Sequence, residues 1–313
     1  MAPHSVVRGL LSFSGALAFS LPAFADIEIQ LKQSFIEEYK FKVTMSCDFI
    51  IDKAHAKPNA PSKDGDLHIA GRSPEKIGLA AVAEIMNAKS SRSALDFIKV
   101  NTGTGRSVPM TGVWRLWSEH AGNEKHVQGK PLAAFNTTNP DHLFELHPVT
   151  KVGSIDLLST LVPIQGYDEK LASSAFKRFE STKFRMEVNT GGTVSLFVGA
   201  AGYNYVKFVV RPDRSKMILA NDGFLMPCDF FGLDKQLLVK STYVVAPKGS
   251  VTYDAMLKLK PNQGLTILGT PRMSLARLSW RIKNVSKVPK SEVLTWGLPY
   301  EMIAVGNYGT IDF

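Results

Sequence analysis

Two short segments concentrate the side chains that could do acid–base or metal chemistry. One is Asp64-Gly-Asp-Leu-His-Ile-Ala-Gly-Arg72 and the other is Asp141-His-Leu-Phe-Glu-Leu-His-Pro-Val149. In both, polar and apolar residues alternate. On strands, that alternation puts Asp64, Asp66 and His68 on one face of the first, and Glu145 and His147 on one face of the second. Two histidines and a carboxylate are a common ligand set for a divalent cation. Asp66, His68, Glu145 and His147 are therefore candidate ligands, and His120, which follows Glu119, could contribute. A metal held there would activate water and clamp a phosphate, which gives one reading: a metal-dependent phosphodiesterase or nuclease. A plainer reading needs no ligand. Gly65 supplies the backbone freedom of a turn before a strand, and the Asp side chains bond to the backbone. The histidines then pair with carboxylates across strands, and Pro148 marks a strand end or edge.

Other catalytic patterns are missing. The chain has no His-Glu-x-x-His, no Gly-x-Ser-x-Gly and no Cys-x-x-Cys. Gly103-Thr-Gly105 and Gly191-Gly192 are turn glycines rather than phosphate loops. The 2 cysteines, Cys47 and Cys228, exclude a cysteine-ligated zinc site by their number. They fit a disulfide in an oxidising compartment or two buried thiols, and the sequence leaves both open. Trp114 and Trp117 are three apart, so on a strand they face opposite sides. Both could pack inside, or Trp117 could be exposed to stack on bases or sugar rings.

The elements that must carry these residues read as mainly β. Lys40–Asp52 alternates and is rich in Phe, Val and Ile, so it is a long strand. A proline-containing loop leads to the strand Asp64–Arg72. Leu79–Met86 is short and apolar, a strand or a helical turn. Ser93–Val100 is a short helix, Val108–Ser118 a strand, Glu119–Pro140 a polar excursion and Leu143–Lys151 a strand. Strand, strand, strand, helix, strand, strand is the order of the OB-fold, a Greek-key β-barrel. Beyond it, Asp168–Ser181 reads as helical. Strands follow at Phe184–Val188, Thr193–Val198, Tyr203–Arg211, Met217–Ala220, Phe224–Phe231 and Gln236–Ala246. Val251–Leu259 is a short helix, Gly264–Ile282 holds one or two strands, and Leu294–Val305 closes the fold.

The halves repeat faintly. Thr111-Gly-Val-Trp-Arg115 and Phe144-Glu-Leu-His147 in the first answer to Leu268-Gly-Thr-Pro-Arg272 and Tyr300-Glu-Met-Ile303 in the second. Glu145 then has a counterpart in Glu301, whereas His147 faces Ile303. The expectation is two tandem OB-like barrels, over 26–165 and 166–313, with any polar site in the first.

The N-terminus has a basic start at His4 and Arg8, an apolar run from Gly9 to Leu21, and Ala23-Phe-Ala25 before Asp26. That is the pattern of a signal peptide over residues 1–25, so a periplasmic or secreted protein is expected. The formal net charge of +9 favours anionic partners. An anionic polymer or an envelope protein is the expected partner of a non-catalytic binding protein, and a purely structural exported scaffold is the alternative.

Two resemblances bear on these segments. Asp-Gly-Asp-x-His followed by a segment ending Glu-Leu-His-Pro-Val is similar to a group of exported bacterial proteins of no established function. It spans Lys63 to about Lys151 and implies a β-barrel module without implying an activity. Asp64-Gly-Asp66 also resembles the Asp-Gly-Asp of thermonuclease-like enzymes, which are OB-folded and bind calcium through an Asp. Leu67 stands where that family has Thr. Arg72 and Arg115 are the candidates for its arginine.

Overall fold

Alternation of buried and more exposed residues shapes the first two strands. A computed structural model describes residues 27–289 and 296–313; the expected signal segment lies outside them. Strand β1 (Ile27–Lys32) buries Ile27, Ile29 and Leu31 in turn and runs straight into helix α1 (Gln33–Tyr39). Strand β2 (Thr44–Ala54) likewise buries Met45, Cys47, Phe49 and Ile51. The loop after it leads to β3 (Leu67–Arg72) and β4 (Ala81–Ile85). Leu79–Met86 thus contains a strand, buried along its whole length. Helix α2 (Arg92–Asn101), β5 (Ser107–Leu116), the short β6 (His126–Val127) and β7 (Phe144–Val152) follow.

These strands close a five-stranded barrel. β2 pairs antiparallel with β3 and β5, β3 with β4, and β5 with β7, while β4 and β7 close the ring in parallel. Leu67, Ile69, Ala83, Trp114, Leu116 and Leu146 belong to its apolar core.

The short β8 (Ile155–Asp156) extends β7, and β9 (Lys170–Leu171) precedes helix α3 (Ala172–Ser181). Then β10 (Phe184–Val188) and β11 (Thr193–Val198) join β1 and β6 in a four-stranded sheet. That sheet combines segments from both sides of residue 165.

The remaining strands are β12 (Val206–Pro212), β13 (Ile218–Ala220), β14 (Gly223–Phe231) and β15 (Leu237–Pro247), then helix α4 (Val251–Lys258) and β16 (Gln263–Met273). Helix α5 (Leu275–Asn284) and β17 (Tyr300–Asp312) end the chain. β12 pairs antiparallel with β14 and β16, β14 with β15 and β16 with β17, and β15 pairs in parallel with β17.

Gly264–Ile282 holds one strand, β16, and helix α5 takes up the rest from Leu275. The hydroxyl of Ser274 accepts from the Arg277 N–H and caps the helix. Leu275 and Leu278 are buried at helical spacing. The strand before it ends one residue earlier, so two apolar patterns run together in the sequence. Cys47 and Cys228 are buried free thiols. Burial pushes the Cys47 thiol up to about 11, which leaves it unsuited to act as a thiolate nucleophile.

Close packing of β3 on β2 requires glycine at 71. A Cβ there would stand 2.2 Å from the Ile50 carbonyl oxygen and 2.4 Å from the Phe49 ring. Gly71→Ala should therefore lower stability in urea unfolding by about 3 kcal/mol. Gly202→Ala, with nothing within 4 Å, should change it by less than about 0.5 kcal/mol.

Candidate functional site at the contact between the two halves

Strand parity places the polar side chains outside the first barrel. On β3, β4, β5 and β7 the residues that alternate with the core positions are His68, Glu84, Arg115, Glu145 and His147. Val113, on the same face as Arg115, packs in a separate apolar cluster with Tyr205, Leu225, Val245 and Ile303. The outer face of the first barrel is thus covered by the second half. Asp66, Glu84, Arg115, His142, Glu145 and His147 are all at most 2% exposed.

His147 is the centre of the group. Its Nδ1 lies 3.2 Å from Glu145 Oε2 and 3.3 Å from Glu84 Oε2. Its Nε2 lies 2.7 Å from the Tyr205 hydroxyl, which donates to Asp66 Oδ2 at 2.6 Å. Tyr205 belongs to the second half, so this short chain of hydrogen bonds crosses the contact. Arg115 donates to Glu145 at 2.5 Å, to Glu119 at 3.1 Å and to the Pro271 carbonyl at 2.8 Å. His142 Nε2 lies 3.4 Å from the other Glu145 oxygen.

The turn reading and the site reading apply to different aspartates. Gly65 has φ +71°, and Asp64 Oδ1 accepts from the Asp66 N–H and from Asn59. Asp64 therefore makes the turn, while Asp66 faces inward. The other Asp64 oxygen lies 3.8 Å from His68 Nε2. His68 is half-buried, and His55 stacks on its ring at 4.9 Å.

Burial and charge oppose each other throughout the group. Burial raises the Asp66 carboxyl to about 6 against the opposing pull of His147. Burial acts to lower both imidazoles, but Glu84, with Asp66 and Glu145, outweighs it at His147, which rises to about 10. Glu84 and Asp64 likewise hold His68 up at about 9. Burial alone would raise Glu145; Arg115 and the two imidazoles bring it well below the usual carboxylate range.

The contact is reciprocal. Arg115 lies opposite Glu145, and Arg272 lies opposite Glu301. Arg272 donates to Glu301 at 2.7 Å and to the Trp114 carbonyl at 3.2 Å. Each guanidinium thus bonds the carbonyl of the residue preceding the other. Asp66, just before β3, reaches Tyr205, while Asp222, just before β14, accepts from the Thr44 N–H and hydroxyl. The symmetry stops at the charges. His68 pairs with Glu84, and Leu225 pairs with Val245, which lies beside Ile303. Where the first half has His68, Glu84 and His147, the second has Leu225, Val245 and Ile303.

Of the residues singled out in the sequence, Asp64, Asp66, His68, Arg115, Glu145 and His147 come together. His120 stacks on His142 at 5.2 Å, at the edge of the group. Arg72 lies apart in a bidentate pair with Asp52. Trp117 is buried against Phe179, and Trp114 is buried too, so neither offers a stacking face. The sequence reading missed Glu84 and Tyr205. Glu84 is the one charged residue in the apolar run Leu79–Met86, a signal that was available. Tyr205 carried none. The chain matches no family model and no curated protein.

Truncations should rank by the charge they strand. Arg115→Met leaves Glu145 buried without its guanidinium, with only the two imidazoles beside it, and should cost about 3–5 kcal/mol in urea unfolding, as should Arg272→Met. Tyr205→Phe removes one bridging hydroxyl and should cost about 1–3 kcal/mol.

Proposed function

We propose that the chain is an exported, non-catalytic binding protein of two tandem OB-like barrels, whose outer surface engages an anionic polymer. The order β2, β3, β4, β5, β7 with α2 before the fourth strand fits an OB-like barrel. The pairings of β12, β14, β15, β16 and β17, with α4 before β16, support a second one.

The observation that carries the reading is the burial of the acid–imidazole group between the halves. A substrate the size of a nucleic acid has no approach to Asp66, Glu145 or His147, each at most 1% exposed. In OB-folds the face of strands two and three binds ligands. Outer residues of the corresponding strands, β3 with β4 and β14 with β15, lie in the contact instead. Any polymer would be met elsewhere, and the net charge of +9 favours an anionic one. Helix α5 presents Trp280, 59% exposed, beside the exposed Lys283, whose surface ion pair with Glu37 at 3.1 Å a polyanion would compete with, a combination suited to stacking next to a charged backbone. The resemblance to exported proteins and the N-terminal pattern agree with a periplasmic or secreted location. None of the described helices is long and apolar enough to cross a membrane.

Retention on heparin at low salt, lost at moderate salt and weakened in the Trp280→Ala, Lys283→Ala double variant, is the expected result. Failure to bind heparin or single-stranded DNA at low salt would overturn the polymer reading. Hydrolysis of a phosphodiester in the presence of Ca²⁺, Zn²⁺ or Mn²⁺, abolished by His147→Gln, would replace it with the nuclease reading.

A further inference from the structure

The buried polar face holds more acid than its fixed cations neutralise. Asp64, Asp66, Glu84 and Glu145 all lie along it. Among the described residues, Arg115 is the one Lys or Arg ion-paired with any of them, and it is committed to Glu145 and Glu119. Asp66 and Glu84 have imidazoles as their ionic partners, with the Tyr205 hydroxyl also donating to Asp66 Oδ2. Buried carboxylates left with so little compensation are unfavourable unless another positive charge joins them.

The unsatisfied atoms fall in the same place. Asp66 Oδ1 and Glu84 Oε2 accept no hydrogen bond, and neither nitrogen of His68 makes one. The two acids are 0% and 2% exposed. Glu84 Oε2 lies 3.8 Å from His68 Nε2, beyond hydrogen-bond reach. One ligand atom from each of Asp66, Glu84 and His147 lies within 4.8 Å of the other two. Zinc bonds of about 2.0–2.2 Å in a tetrahedral shell hold donors roughly 3.3–3.6 Å apart, so binding would draw these side chains inward.

We propose that Asp66, Glu84 and His147 hold a divalent transition-metal cation, zinc being the best fit, with His68 and Asp64 on its solvent side. An imidazole with two carboxylates is a borderline-soft N/O donor set that suits Zn²⁺ better than Mg²⁺ or Ca²⁺. The ligand set differs from the one legible in the sequence by taking Glu84 in place of Glu145. Arg115 takes Glu145, which also weakens the neighbouring group of Glu84, His142 and Glu145. The cation is structural: it sits in the contact, and the Tyr205 hydroxyl on Asp66 Oδ2 orients a ligand from the second half. It enters past His55, His68 and Asp64, the half-buried edge of the group.

The proposal is independent of the polymer reading, because its readout is the metal itself. Full-length exported protein is purified without chelator, and its metal content is measured by mass spectrometry. It is then stripped and titrated with Zn²⁺, with Mg²⁺ as control. The expected result is about one Zn²⁺ per chain and a rise in melting temperature with Zn²⁺ alone. Glu84→Gln should lower Zn²⁺ affinity by more than the roughly 10–100-fold of an outer-shell change, and Arg72→Lys should leave it unchanged. Absence of bound metal together with no stabilisation by Zn²⁺ overturns the proposal, as does wild-type affinity in Glu84→Gln. Should that variant fail to fold, the visible spectrum of the Co²⁺-loaded wild type decides. Intense bands of a low-coordinate N/O site support the proposal, and the weak spectrum of aqueous Co²⁺ overturns it.

Discussion

Two buried guanidiniums cross between the halves, and the rest of the contact depends on how they are satisfied. A charge removed from water is tolerated only with a partner and with its donors used. Arg115 and Arg272 each have a glutamate across their own sheet and a carbonyl across the contact. Because the guanidinium fork is rigid, the four bonds together admit one relative placement of β5 and β16. The outcome resembles the isologous interface of a two-fold dimer, where one patch meets its own copy. The two environments are nonetheless unequal. Burial lowers the Arg272 guanidinium, whose main counter-charge is Glu301. The acids Glu145, Glu119 and Glu84 outweigh burial at Arg115 and raise it.

That inequality bears on why the first half carries charge at all. Leu225, Val245 and Ile303 close their side of the contact with apolar atoms. Replacing buried ion pairs with well-packed apolar residues is often neutral or stabilising, and this molecule contains both solutions at matching registers. Barrel closure alone therefore does not account for His68, Glu84 and His147. Each polar atom among them must find a partner in a low-dielectric space, where an unmet one is expensive and a met one is strong. The second half contributes the Tyr205 hydroxyl to that group and an otherwise apolar floor.

Much of the strand order was legible because period-two alternation is a local signal. Lys40–Asp52 shows it, and the faint repeat sets Arg115 against Arg272 and Glu145 against Glu301. Alternation tells which residues share a face, however, and not what covers that face. In Asp64–Arg72 it set the acids and the imidazole on one face, and the second half covers the Asp66 end of that face through Tyr205. Glu84 stands out as a lone charge in Leu79–Met86, but its place opposite His68 is set by register, which no local pattern reveals. Tyr205 comes from beyond residue 165, so nothing near the two chemistry-bearing segments could announce it.

The third sheet limits how the contact can open. β1, which leads into the first barrel, pairs along its whole length with β11, and β6 pins the excursion between β5 and β7 to the same sheet. Separating the two halves would break these ladders as well as the bonds of the crossing guanidiniums. A hinge motion that exposes His147 to bulk solvent would thus disrupt two independent sets of backbone and side-chain bonds together. The segment between β2 and β3 is held by less: backbone bonds from His55 to His68 and from Asn59 to Asp66, and the turn at Asp64. Local opening takes place where the fewest interactions must break. Opening of this segment alone would uncover the buried acids while the two halves stay fixed on each other.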